Sequence, residues 1–230
     1  MRTLTWLAAV LLVAICGAAV ADDMPESWDG LVQVKPKRMD AAYLLPGADF
    51  RQYTRLMVDP AEVAFAKNWL RSQNDSRNLS RNVTQEDAEK ILAAARSNFD
   101  EIFVEALTKA GYTIVQAPGR DVMRVSTAVL NLYVTAPDVP TAGRSTTYTT
   151  QAGEATLVIE VRDSTTNLLL GRVLDRRETQ RSTMQMTTSV TNLAEFRTLF
   201  KAWASTVVKG LGELKEHSPV PEDLKPKQKL

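Results

Sequence analysis

The strongest periodic signal is a stripe of apolar residues at three- and four-residue spacing: Ala88, Ile91, Leu92, Ala95, Phe99, Ile102, Phe103, Ala106 and Ala110. That spacing places them on one side of an α-helix that faces a core. Thr84 stands where an N-cap belongs, Glu86 and Asp87 complement the positive helix start, and Gly111 supplies a left-handed stop. The pattern ends at Gly111 instead of running on heptad after heptad, so it does not describe a coiled coil. Leu193, Phe196, Phe200, Trp203, Val207, Leu211 and Leu214 predict a second helix over 193–214, with Asn192 and Glu195 as a capping-box-like start.

Elsewhere the period is two. Residues 52–58 alternate Tyr53, Arg55 and Met57 with Thr54, Leu56 and Val58, a strand closed by Asp59-Pro60, and 62–65 is a second extended stretch. After the first helix, 112–115 is a short strand and 122–134 a longer one. On the longer strand Ser126, Ala128, Leu130, Leu132 and Val134 share one face, opposite Val125, Thr127, Val129, Asn131 and Tyr133. Residues 155–162 and 168–177 form a hairpin about a turn at 163–167. Leu157, Ile159 and Val161 make its dry face, and Thr156, Glu160 and Arg162 its wet one. Two polar stretches, 72–84 and the Ser/Thr-rich 138–150, read as loops. The first holds Asn-x-Ser/Thr triplets at Asn74, Asn78 and Asn82. These mark glycosylation in a eukaryotic secreted protein but also arise by chance in such a loop, and the plain loop is preferred.

The order of elements predicts an α+β fold: a two-layer sandwich with a mixed, largely antiparallel sheet of four to five strands and two long helices on one face. The single domain spans 51–216. Before it, 22–50 is an irregular leader broken by Pro25, Gly30, Pro36, Pro46 and Gly47 and anchored by Trp28, Leu31 and Val34. Its basic cluster, Lys35, Lys37 and Arg38, reads as a solvated turn, with contact to anionic lipid headgroups as the alternative. After the domain, the Pro- and Lys-rich 217–230 has little to bury and predicts a disordered tail.

The first 21 residues have the layout of a signal peptide. Met1 and Arg2 give a positive start, Leu4 to Ala14 an apolar run, and Ala19-Val20-Ala21 a small-x-small cleavage site. The run is short of the roughly 20 residues that span a bilayer. Cleavage after Ala21 releases the protein to the periplasm or the exterior and removes Cys16, the sole cysteine. The alternative is a lipoprotein anchored to the membrane through a lipidated Cys16, for which the bulky Ile15 is a poor preceding residue. Cleavage excludes disulfides and thiolate metal sites. It also removes Arg2 from 28 basic residues set against 27 acidic ones. An even charge balance argues against a general nucleic-acid binder.

No catalytic or cofactor motif emerges. Gly153 and Gly171 lack phosphate-loop spacing. The one histidine, His217, falls in the expected tail, outside any packed shell that could orient a triad or a metal site. The chain therefore reads as a non-enzyme without cofactor or metal. Two binding classes follow. The first is an envelope accessory or scaffold protein that holds another envelope protein or a cell-wall component through a sheet edge or the Ser/Thr-rich loop. Arg144 and Tyr148 on that loop, with Arg172 and Arg176 on the hairpin, are its candidate partner-binding residues. The second is a periplasmic small-ligand or lipid-binding protein with a cleft between helices and sheet.

Tyr43-x-x-Pro46-Gly47-Ala48-Asp49-Phe50 and Tyr53-Thr54-Arg55-Leu56-Met57-Val58-Asp59-Pro60 resemble the opening blocks of an uncharacterised family of proteobacterial envelope proteins. Gly143-Arg144-Ser145, the run from Gly153 to Ser164, and Gly171-Arg172-Val173-Leu174-Asp175-Arg176-Arg177 resemble its later ones. The resemblance covers 28–214. It implies an envelope location and no established activity. Many relatives look like lipoproteins, a pattern from which this chain departs at Ile15.

Overall fold

The computed structural model describes residues 24–75, 82–134, 148–186 and 189–230. The expected signal segment, Asn78 and Arg144 lie outside them. In chain order, β1 (Ser27–Trp28), β2 (Leu31–Val34), β3 (Ala41–Leu44), β4 (Arg55–Val58) and β5 (Glu62–Phe65) precede two helices, α1 (Trp69–Asp75) and α2 (Gln85–Lys109). Then come β6 (Thr113–Ile114), β7 (Val122–Val134), β8 (Tyr148–Asp163), β9 (Leu169–Met186) and a last helix, α3 (Ser189–Glu216).

The nine strands among the described residues join one mixed sheet in the order β1-β2-β3-β9-β8-β7-β4-β6, with β5 also paired to β7. β7, β8 and β9 form an antiparallel meander, and β3 adds to β9 antiparallel. β4 pairs in parallel with β6 and β7, and β5 in parallel with β7. This overturns the expected four-to-five-stranded, largely antiparallel sandwich with two helices. The leader is not irregular, because it supplies three strands. Asp29 (φ 54°) and Gly30 (φ 81°) both take the left-handed backbone of a two-residue turn, which joins β1 to β2 with Trp28 opposite Leu31. β3 lies between β2 and β9, and all four of its residues are buried. Part of the expected 72–84 loop is α1, and Asn74 near its end turns its amide onto Val83, accepting from the Val83 N–H at 2.7 Å and donating to its carbonyl at 3.0 Å.

β7 has the limits its alternation predicts but not the uninterrupted alternation. Asn131 takes φ 51°, and the register with β8 slips between Leu130 and Tyr133. The bulge moves Leu132 and Val134 onto the face of Val125 and Val129, where all four join the main core. On β8, Gly153 fits against the bulge: a Cβ there would stand 1.7 Å from the Tyr133 carbonyl oxygen. Thr179 Oγ1 holds the site by accepting from the Gly153 N–H (2.8 Å) and donating to its carbonyl (3.0 Å).

The main core lies between this sheet face and the long helices, with Phe99 of α2 edge-to-face with Phe200 of α3 at 5.3 Å. A smaller cluster forms on the other face, where Leu31, Ala41, Tyr43, Leu169 and Leu174 pack with Met24 and Trp28. The expected disordered tail is also corrected. Val220 and Leu224 are buried in the main core, and Val220 exchanges backbone hydrogen bonds with Gly47 (3.0 Å) and Ala48 (2.8 Å). Further on, Lys227 N–H donates to Gln33 (2.7 Å) and Lys35 N–H to Gln228 (2.9 Å). β1 covers only the start of β2, so the tail satisfies the backbone groups left open at its end.

Candidate functional site

Three small residues, each far from the others in sequence, face one another across the gap between α3 and the sheet. Ala42 is on β3, Gly171 on β9 and Gly210 inside α3, and together they line a pocket of ≈ 160 Å³. Val34, Leu44, Ile159 and Val161 complete its apolar floor, and Val207 and Leu211 form the helical wall. The two glycines differ in kind. A Cβ on Gly171 would stand 3.2 Å from Leu44 and from the Tyr43 carbonyl oxygen, so any larger residue there makes the neighbouring strand give by a few tenths of an ångström. Apart from its two chain neighbours and the backbone of its own helical turns, nothing lies within 4 Å of where a Gly210 Cβ would stand. Glycine inside a helix is less favourable than alanine by about 1 kcal/mol, and at Gly210 no packing contact accounts for it.

The rim is polar. Between β2 and β3, Lys35, Lys37 and Arg38 line the opening opposite Glu213 of α3. Arg38 Nη1 donates to Glu213 Oε1 at 2.8 Å, and Lys37 Nζ lies 3.5 Å from Oε2. The Arg38 hydrogen bond chiefly, with Lys37 adding, holds the Glu213 carboxyl below its usual range despite partial burial. Lys35 makes no ion pair among the described residues. His217 lines the same opening, directly after α3, and its backbone N–H donates to the Glu213 carbonyl at 3.0 Å. Leu230 lines it as well, so the segment expected to be a free tail contributes part of the wall.

A chain of polar contacts, buried at Trp203 and exposed at Arg38, runs across this end of the molecule. Asp175 Oδ2 accepts from Trp203 Nε1 of α3 (2.7 Å) and from Arg177 Nε (2.5 Å), while Arg177 Nη2 reaches the Arg38 carbonyl at 3.2 Å. Burial pushes the Asp175 carboxyl up, and the bonds from Trp203 and Arg177 oppose it. The rim loop, β9 and α3 are thereby joined.

Of the residues expected to bind a partner, Arg172 alone is among those that line this pocket. Arg172 side-chain atoms lie on the opposite sheet face, only 8% exposed. There Nε donates to Glu160 (2.8 Å), Nη2 donates to Glu160 (2.6 Å) and Asp29 (2.8 Å), and the guanidinium stacks 4.1 Å from the Trp28 ring centroid. Its charge is taken up inside the protein, because β1 and its turn fold over a surface that the hairpin pattern alone marked as wet. Arg176 is on the same face, half-exposed and paired with Glu154 at 2.6 Å. Tyr148 opens β8, but its side chain, like Arg144 and Cys16, lies outside what the structure describes. Sequence reading noticed the basic cluster at 35–38 but not what faces it. The one local signal for the pocket was Gly210, set within the apolar stripe of a helix. Among the described residues no group of three or more His, Cys, Asp or Glu is placed to hold a metal, and no helix is long and apolar enough to cross a membrane.

A family model described as "Protein of unknown function (DUF3313)" matches residues 21–207. No curated protein matches the chain. Among solved structures, a Xanthomonas campestris protein described under the DUF330 family model is 13% identical, covering 80% of this chain and 95% of its own, with a TM-score of 0.41. A PelC dodecamer from Paraburkholderia phytofirmans is 14% identical over 72% of this chain and 96% of its own, with a TM-score of 0.35. A PelC variant dodecamer from the same organism is 13% identical over 70% and 93%, with a TM-score of 0.31.

Proposed function

The chain belongs to the DUF3313 family of proteins of unknown function, and we propose that it is an exported cell-envelope protein that binds a small apolar ligand and catalyses no reaction. The pocket under α3 carries this reading. Ligand sites are typically concave and mostly apolar, with a few polar groups that fix orientation. At ≈ 160 Å³ the pocket is close to the ~150 Å³ of an apolar-lined cavity that accepts benzene, so it takes an apolar group of roughly six carbons. The apolar run and small-x-small site at the N-terminus support export by cleavage after Ala21, with anchoring through Cys16 as the alternative, and the family match opens at residue 21. Against catalysis, the one acidic side chain among the described residues that line the pocket, Glu213, is already paired with Arg38 and Lys37. The accessory-protein reading names Arg144, Tyr148, Arg172 and Arg176; Arg172 is paired with Asp29 and Glu160 and Arg176 with Glu154, and the side chains of Arg144 and Tyr148 lie outside the described residues.

Native mass spectrometry of protein isolated from its own envelope tests the pocket. A co-purifying small molecule is expected in the wild type and is lost in Gly210→Phe, whose ring fills the space, while thermal unfolding shows the variant still folded. Wild-type protein that is consistently empty, or a ligand retained by Gly210→Phe, sinks the proposal.

A further inference from the structure

The rim of the pocket specifies its guest more closely than the walls do. We propose that the ligand is a single-chain anionic amphiphile, an alkyl carboxylate, with its chain between α3 and the sheet and its head at Lys35 and Lys37. This rests on the pocket reading above.

Charge gives the first argument. Lys35, Lys37 and Arg38 line the opening against one acidic side chain among the described residues, Glu213, so the rim is net positive. A cationic guest is repelled there, and a neutral one makes no use of the cations. Glu213 itself gives the second argument. Its carboxylate already sits between Arg38 Nη1 and Lys37 Nζ, so this rim holds a carboxylate in the present structure. Lys35 is left without an ion pair among the described residues, and Lys37, at 3.5 Å, is held more loosely than Arg38 at 2.8 Å. An incoming carboxylate takes these two lysines, and Glu213 keeps Arg38. The third argument is size, since space for roughly six carbons admits one alkyl chain and not a two-chain lipid. Glu213 therefore acts as a competing internal anion.

Calorimetric titration of the purified protein with octanoate, 1-octanol and octylammonium tests this at low salt and again at high salt. Octanoate is expected to bind about fivefold tighter than 1-octanol, with octylammonium weakest, and the gap closes at high salt as the rim charges are screened. Lys35→Gln with Lys37→Gln lowers octanoate affinity to that of 1-octanol and leaves 1-octanol unchanged. Glu213→Gln raises octanoate affinity, an outcome that a purely apolar pocket would not give. If octanoate and 1-octanol bind the wild type equally, the headgroup inference is overturned and the pocket reading stands. If none of the three binds, or Gly210→Phe leaves 1-octanol binding intact, the pocket reading falls and takes the inference with it.

Discussion

Asp163 closes the β8–β9 turn with both carboxylate oxygens. Oδ1 accepts from the Thr165 N–H (2.9 Å), the Thr166 N–H (2.8 Å) and both threonine hydroxyls, and Oδ2 accepts from the Tyr53 hydroxyl at 2.9 Å. The Thr165 hydroxyl chiefly, with the Thr166 N–H and Tyr53 adding, holds this carboxyl well below the usual range. Burial first, and Asp163 second, push Tyr53 up to about 12. A folded-state value below the unfolded one means that the carboxylate's stabilisation is full above the ordinary aspartate range. It is lost as pH falls through the folded value. Asp163→Ala is expected to lower stability by about 1–3 kcal/mol at pH 7, toward the lower figure because the turn is partly solvated. The gap to the wild type narrows as pH drops below about 4. Urea unfolding at pH 7 and pH 3 checks this, and a gap independent of pH would show that the charge is not what the turn uses. The turn at 163–167 was legible in the sequence because Asp and Asn crowd it. Its bond to Tyr53, 110 residues away, was not.

At the scale of elements, α2 is the part most fully written in local sequence. Thr84 Oγ1 accepts from the Asp87 N–H (3.1 Å), and Asp87 Oδ2 accepts from the Thr84 N–H (3.0 Å), a complete capping box. At the other end Gly111 at φ 92° lets its own N–H reach Thr108 and the Tyr112 N–H reach Leu107. Thr84→Ala removes one arm of the box and is expected to lower stability by about 1 kcal/mol, read as a lower urea midpoint at unchanged slope. An unchanged midpoint would mean that water replaces the cap at no loss. β7 is the counter-example. Its length followed from alternation, but nothing in Leu130-Asn131-Leu132 announces a bulge, and asparagine only tolerates the left-handed backbone that the bulge needs. β1 and β2 were missed for a different reason. Asp29-Gly30 is a hairpin signal, but strands of two and four residues are too short to display a period.

For the molecule as a whole, the C-terminal segment decides how the sheet edge and the pocket are finished. Removing residues 219–230 takes Val220 and Leu224 out of the core, at about 1.5–3 kcal/mol for each side chain as an upper estimate. It also uncovers the end of β2. The shortened protein is expected to unfold at markedly lower urea concentration. Unfolding at the full-length midpoint would show that the segment is not part of the core. Composition pointed the other way here, because three prolines and several lysines mask two well-spaced apolar anchors.

The sequence by itself determined the two long helices, the span of β7, the turn and inner part of the β8–β9 hairpin but not its outer ends at Tyr148 and Met186, and membership in an uncharacterised family. These follow from periods and caps that operate within a few residues. Tertiary structure alone decided what covers each face. It buried Arg172 beneath Trp28 and Asp29 on a surface whose alternation promised water, and it brought Arg38 to Glu213 across 175 positions. It also set Ala42, Gly171 and Gly210 around one space. The physical reason is the same in each case. A local pattern reports which side of an element avoids water, but a pocket is a place where covering elements fail to fill the gap between them, and that depends on side chains contributed from distant parts of the chain.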